Sequence, residues 1–120
     1  MTHRVLVADD EPDIRMLVRL QLRIFDVAVL EAEDGEQALQ VGRAERPDLC
    51  ILDHRMPHRA GADVAVALRE ERPDLPIVVF SAFLDPALEQ RVRAADIDTV
   101  AKADLAGLVA WLRAHLPARA

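Results

Sequence analysis

The chain has 120 residues, 52% of them hydrophobic, enough for a single domain with a sizeable core. A formal net charge of −6 and an aromatic content of 3% exclude a nucleic-acid surface that tracks the backbone or stacks on bases. Charges recur too often for a membrane span, Met1-Thr2-His3-Arg4 does not open a secretory signal, and the lone Cys50 can form no internal disulfide, so a cytoplasmic domain is expected.

The first apolar run is Val5-Leu6-Val7-Ala8, and it ends in Asp9, Asp10 and Glu11. A short continuous apolar run bounded by turn signals reads as a strand buried on both faces. Pro12 suits a first helical position, and Ile14, Leu17, Val18 and Phe25 recur near helical spacing behind it, which predicts a first helix of about three turns. Residues 27–30 read as a second strand, and Asp34-Gly35 opens a second helix carrying Ala38 and Leu39. Pro47 precedes Cys50-Ile51-Leu52, the third strand, which delivers Asp53 to its end. Gly61, Val64, Ala65 and Leu68 sit at i, i+3, i+4 and i+7 and predict a third helix. Ile77-Val78-Val79-Phe80 is the fourth strand and finishes at Ser81-Ala82. Asp85-Pro86 is a cap and first-turn pair for a fourth helix with Leu88, Val92 and Ala95 inward. Residues 97–101 form a fifth strand that ends in Lys102, and Leu105, Leu108, Val109, Leu112 and Leu116 stripe the last helix. Trp111 lies off that stripe; it is either a half-covered core edge or part of a partner surface, with the second preferred.

Five alternations of strand and helix imply an α/β fold with a parallel sheet covered on both faces. In such sheets, ligands collect at the carboxyl edge, at a topological switch point. With the flavodoxin-like order 2-1-3-4-5, the first and third strands are neighbours about 4.8 Å apart. Asp9, Asp10 and Asp53 then converge. Carboxylates that close repel unless one protonates or a cation joins them. Hard oxygen ligands beside open water positions suit Mg²⁺ (or Mn²⁺). A dication, a lysine and a hydroxyl are the parts needed for phosphoryl transfer, and a carboxylate can itself be the nucleophile. Lys102 is the only lysine among 15 basic residues, and it falls at this edge. Taken singly, Asp9 or Asp10 reads as a helix cap, Ser81 as a turn residue and Lys102 as a solvated charge; their gathering at one edge favours a site. His3, His54, His58 and His115 have no metal-ligand spacing and read as surface or loop residues. Glu11, Glu70 and Glu71 read as solvated or cap positions.

Val-Ala-Asp9-Asp10-Glu11-Pro12, Asp53 with Met56-Pro57 and Gly61, Ser81-Ala82 and Lys102 together resemble the receiver domain of two-component response regulators. The resemblance makes residues 1–120 a single receiver domain, with a core over about 4–116 and residues 117–120 a tail or the start of a linker. It implies a phosphoprotein whose Asp53 accepts a phosphoryl group from a histidine kinase phosphohistidine. It further implies Mg²⁺ held directly by Asp10, Asp53 and the backbone carbonyl of Arg55, with Asp9 acting through water. Ser81 and Lys102 would contact the phosphoryl oxygens. The expected partners are a histidine kinase or phosphotransfer protein and a downstream target or second copy, reading the face of the fourth helix, fifth strand and last helix. No nucleic acid or membrane is expected to bind directly. A signalling switch rather than a metabolic enzyme is expected, standing alone or as the N-terminal piece of a longer protein.

Three positions depart from the family's pattern. Thr99 stands where an aromatic usually swings inward, Asp98 where glycine is usual, and Ala103 where a cis proline is common. A trans bond is expected before Ala103, since a non-proline cis bond costs about 3 kcal/mol. These departures leave room for an alternative: a degenerate receiver serving as an interaction module, its output uncoupled from phosphorylation. Arg55 and Phe83 occupy the positions that in the family flank the phosphoryl group, and their bulk is expected to slow its hydrolysis. A haloacid-dehalogenase-like phosphatase would need a second aspartate where Arg55 stands.

Overall fold

In the computed structural model, which describes residues 2–117, five parallel strands form one sheet in the order β2-β1-β3-β4-β5. The elements run β1 (His3–Ala8), α1 (Pro12–Gln21), β2 (Val27–Ala32), α2 (Gly35–Glu45), β3 (Leu49–Leu52), α3 (Gly61–Glu71), β4 (Ile77–Ser81), α4 (Pro86–Ala94), β5 (Asp98–Ala101) and α5 (Leu105–His115). The flavodoxin-like order read from the sequence is the observed one.

Alternate residues of the central strands feed two cores. Leu6, Cys50, Leu52, Ile77 and Val79 face Ala38, Leu39, Val64, Ala65, Leu68, Leu88 and Val92, which places α2, α3 and α4 on one side. Val5, Val7, Leu49, Ile51, Val78 and Phe80 meet Val18, Leu22, Leu108 and Leu112, which places α1 and α5 on the other. β3 is buried at every residue, so its run has no polar gap. Cys50 is a core residue as expected, and burial pushes its thiol up to about 12, against smaller opposing effects of Arg72 and Arg69.

Helix starts follow the local chemistry. Asp34 accepts from the Gln37 N–H at 2.8 Å, Asp85 from the Leu88 N–H at 2.8 Å and Asp104 from the Gly107 N–H at 2.9 Å. Each supplies an acceptor to an otherwise unpaired first-turn donor.

Several boundaries differ from the sequence reading. α1 stops at Gln21, a tighter 3₁₀ turn covers Leu22–Ile24, and Phe25 is buried beyond the helix rather than on it. β2 runs on to Ala32, because its register with β1 continues to the pair Ala8 and Ala32. Ile97 is a buried turn residue whose N–H donates to the Val92 carbonyl at 2.9 Å, and β5 starts one residue later. His3 lies in β1 rather than in a loop. Trp111 is half-covered: it packs against the α1/α5 core and donates its indole N–H to Asp98 Oδ2 at 2.7 Å. No peptide bond among the described residues is cis, so the Lys102–Ala103 bond is trans as expected.

Candidate functional site

The site residues are those that stand at the end of a strand, and the sheet's own ladder fixes where they go. The Asp9 N–H donates to the Ala32 carbonyl at 3.1 Å, the Asp53 N–H to Ala8 at 2.9 Å and the Lys102 N–H to Ser81 at 3.0 Å. Each thus adds one rung beyond its strand, so the side chains leave from one edge at one height. Ser81 is the last residue of β4, opposite Ala101.

Asp9, Asp10 and Asp53 each offer a carboxylate oxygen, and the three oxygens lie within 4.8 Å of one another. Asp9 is 2% exposed and Asp53 4%, whereas Asp10 is open to solvent. Lys102 bridges the buried pair: its Nζ is 2.8 Å from Asp9 Oδ2 and 3.4 Å from Asp53 Oδ2, with Glu11 Oε1 at 4.0 Å. Burial, then the charge of Asp9, hold the Asp53 carboxyl above its usual range, although Lys102 and the Ser81 hydroxyl pull the other way. Burial lowers the Lys102 ammonium, but hydrogen bonds and charges from Asp9 and Asp53 outweigh it, and its pKa is raised. The lysine is therefore charged at neutral pH and faces two acids that one cation only partly satisfies. Three hard oxygens within reach of one centre, with the exposed Asp10 leaving positions for water, fit a hexacoordinate dication.

Asp9 is not a helix cap. The capping position is Glu11, whose side chain makes no cap bond, and Asp9 Oδ1 accepts from the Glu11 N–H at 2.9 Å. Ser81 is fully buried between Asp53 and the next loop, its Oγ accepting from the Phe83 N–H at 3.3 Å. Arg55 lies in the loop after Asp53, where the buried Met56 and a 2.8 Å bond from the Gly61 N–H to the His54 carbonyl close the turn. A Cβ on Gly61 would overlap the Asp53 carbonyl, so that position excludes any larger residue.

Sequence reasoning did not foresee three contacts here. Arg15 Nη1 donates to the Asp9 carbonyl at 2.7 Å while its Nε holds Glu31 at 3.0 Å. The Arg55 guanidinium lies 3.7 Å from the centre of the Phe83 ring. His54 Nδ1 accepts from the Ala62 N–H at 3.3 Å, which makes that histidine part of the turn. Helical spacing from Glu11 hints at Arg15, and the family resemblance sets Arg55 and Phe83 at one group without indicating their stacking; nothing hints at the His54 contact.

Comparison with known proteins agrees with this geometry. The response regulator receiver domain family matches residues 5–110. The transcriptional regulatory protein PdtaR of Mycobacterium tuberculosis is 41% identical over 91 residues, 75% of this chain and 44% of that protein. The alkaline phosphatase synthesis transcriptional regulatory protein PhoP of Bacillus subtilis is 37% identical over 82 residues, 68% of this chain and 34% of that protein. The chain thus spans less than half the length of these curated relatives. Among solved structures, the chemotaxis protein CheY4 of Vibrio cholerae superposes with a TM-score of 0.83 at 27% identity, covering 97% of this chain and 100% of that one. Receiver domains of response regulators are signalling domains that work with histidine kinases and downstream targets and bind Mg²⁺ at an acidic pocket, and this chain belongs to that family.

Proposed function

We propose that this domain is a phosphoacceptor switch and that Asp53 is the residue that takes the phosphoryl group. The observation that carries the reading is the buried Asp9–Asp53 pair under Lys102 with the exposed Asp10 beside it. A carboxylate oxygen of Asp53 attacks the phosphorus of a kinase or phosphotransfer-protein phosphohistidine. The P–N bond breaks, its electron pair stays on the imidazole nitrogen, and that nitrogen takes up a proton. The product is an acyl phosphate on Asp53. Lys102 is held at the reacting edge and can follow the new negative charge from Asp53 to the phosphoryl oxygens, and the Ser81 hydroxyl can donate to another. Asp10, Asp53 and the Arg55 carbonyl would hold Mg²⁺ (or Mn²⁺), with Asp9 acting through water. Bound there, the ion supplies positive charge that neutralises the carboxylates and the incoming phosphoryl oxygens.

Loss of the group reverses the attack: water adds to phosphorus, the P–O bond to Asp53 breaks, and the carboxylate is restored. Arg55 and Phe83 crowd that approach and lengthen the lifetime of the acyl phosphate; replacing both with small residues shortens it. The signal leaves through the face of α4, β5 and α5 to a target or a second copy, in the cytoplasm. Intact-mass spectrometry after acetyl phosphate tests the reading. Wild type in Mg²⁺ gains one phosphoryl group, while wild type in chelator and Asp53→Asn do not; equal gain in Asp53→Asn overturns it.

A further inference from the structure

Phe83 is 53% exposed, and two contacts of different kind hold it. Its ring carries the Arg55 guanidinium at 3.7 Å, and its N–H rests on Ser81 Oγ at 3.3 Å, long for a hydrogen bond. Arg55 makes no ion pair with a carboxylate among the described residues; its guanidinium rests on the Phe83 ring instead. Phe83 in turn stands two residues before Asp85, which caps α4. A physical chain therefore runs from Asp53 through Ser81 and Phe83 into the start of α4, with Arg55 clasping it from the opposite loop.

We propose that Arg55 and Phe83 form a phosphoryl-sensitive clasp, in which phosphorylation of Asp53 draws the Arg55 guanidinium from the Phe83 ring to the phosphoryl oxygens and frees the loop that leads into α4. The inference rests on Asp53 being the phosphoacceptor. An exposed cation–π contact is among the weakest attachments a guanidinium makes, whereas a phosphoryl group offers paired, charge-assisted acceptors two residues away in sequence. Ser81, moving to donate to the same group, stretches its already long bond to the Phe83 N–H. Both ties on Phe83 loosen together.

Only three phenylalanines are present, and Phe25 is 1% exposed and away from the Ser81 end of β4, so ring resonances report Phe83 against an internal control. The experiment follows phenylalanine ring signals by NMR as beryllium fluoride and Mg²⁺ are added, with acetyl phosphate and intact mass run in parallel. In wild type, the Phe83 signals shift while those of Phe25 move less. In Arg55→Ala they start displaced, lacking the guanidinium, and shift little further. A mass gain with Phe83 unmoved, or the same shift in Arg55→Ala, overturns the clasp alone. No mass gain in wild type overturns the phosphoacceptor reading and the clasp with it.

Discussion

The two edges of the sheet treat charge in opposite ways. At the amino edge, arginines are spent on backbone carbonyls. Arg69 reaches Ala95 at 3.2 Å, Arg72 at 3.1 Å, Pro73 at 2.8 Å and Asp96 at 3.2 Å, tying together the turns that enter β4 and β5. Arg72 binds the Pro47 carbonyl and Arg4 that of Glu45 in the same manner. At the carboxyl edge, two buried carboxylates share one lysine, and Asp53 is held above its usual pKa. At the first edge the arginines find acceptors and close the fold. The other is left with more negative charge than it can pair, which is the condition for taking up a dication and an electrophile.

If that contrast holds, the largest effect comes from Lys102→Met. Removing the ammonium leaves Asp9 and Asp53 facing each other unpaired, and stability at neutral pH without metal falls by about 3 kcal/mol, as for a broken buried pair. Asp53 titrates above its unfolded value, so its ionised form costs stability at pH above the raised pKa and none in acid. Urea melts of Lys102→Met therefore approach wild type as pH falls through that range, and Mg²⁺ restores part of the loss at neutral pH. A deficit that is independent of pH would break the electrostatic account.

Gly61→Ala tests the backbone of the same edge. A methyl group there overlaps the Asp53 carbonyl, and unfolding should be easier by about 2–3 kcal/mol at every pH. Arg69→Ala probes the satisfied edge: about 2 kcal/mol of stability is lost, while acetyl phosphate still labels the protein in Mg²⁺ as it does wild type. The smallest effect has the opposite sign. Asp53→Asn removes the unfavourable ionised carboxylate and raises stability by about 1 kcal/mol at neutral pH, near 4 °C in Tm, and by nothing in acid. A lower Tm for this variant at neutral pH would show that the carboxylate is not strained.

Most of this contrast was legible in the sequence at one edge and almost none of it at the other. Uninterrupted apolar runs ending in Asp9, Asp53 and Ser81 report a parallel strand and its terminal residue together, because the ladder carries the next N–H with it. Cap residues such as Asp34 and Asp85 act within three positions, so local pattern finds them. The Arg55–Phe83 stack joins two loops far apart in the chain, Arg69 on α3 reaches the distant Ala95 and Asp96 carbonyls, and no period encodes the direction of a long side chain. Trp111 shows the same limit: helical angle places it off the stripe, but the aspartate that receives its indole N–H lies on β5.

The most direct test of the central claim is to locate the phosphoryl group chemically. Borohydride reduces an aspartyl phosphate to homoserine, which tandem mass spectrometry can place in the chain after treatment with acetyl phosphate and Mg²⁺. Homoserine at position 53, absent when chelator replaces Mg²⁺, is the predicted result. Homoserine at position 9 or 10 instead, or the same yield at 53 with and without Mg²⁺, would contradict it.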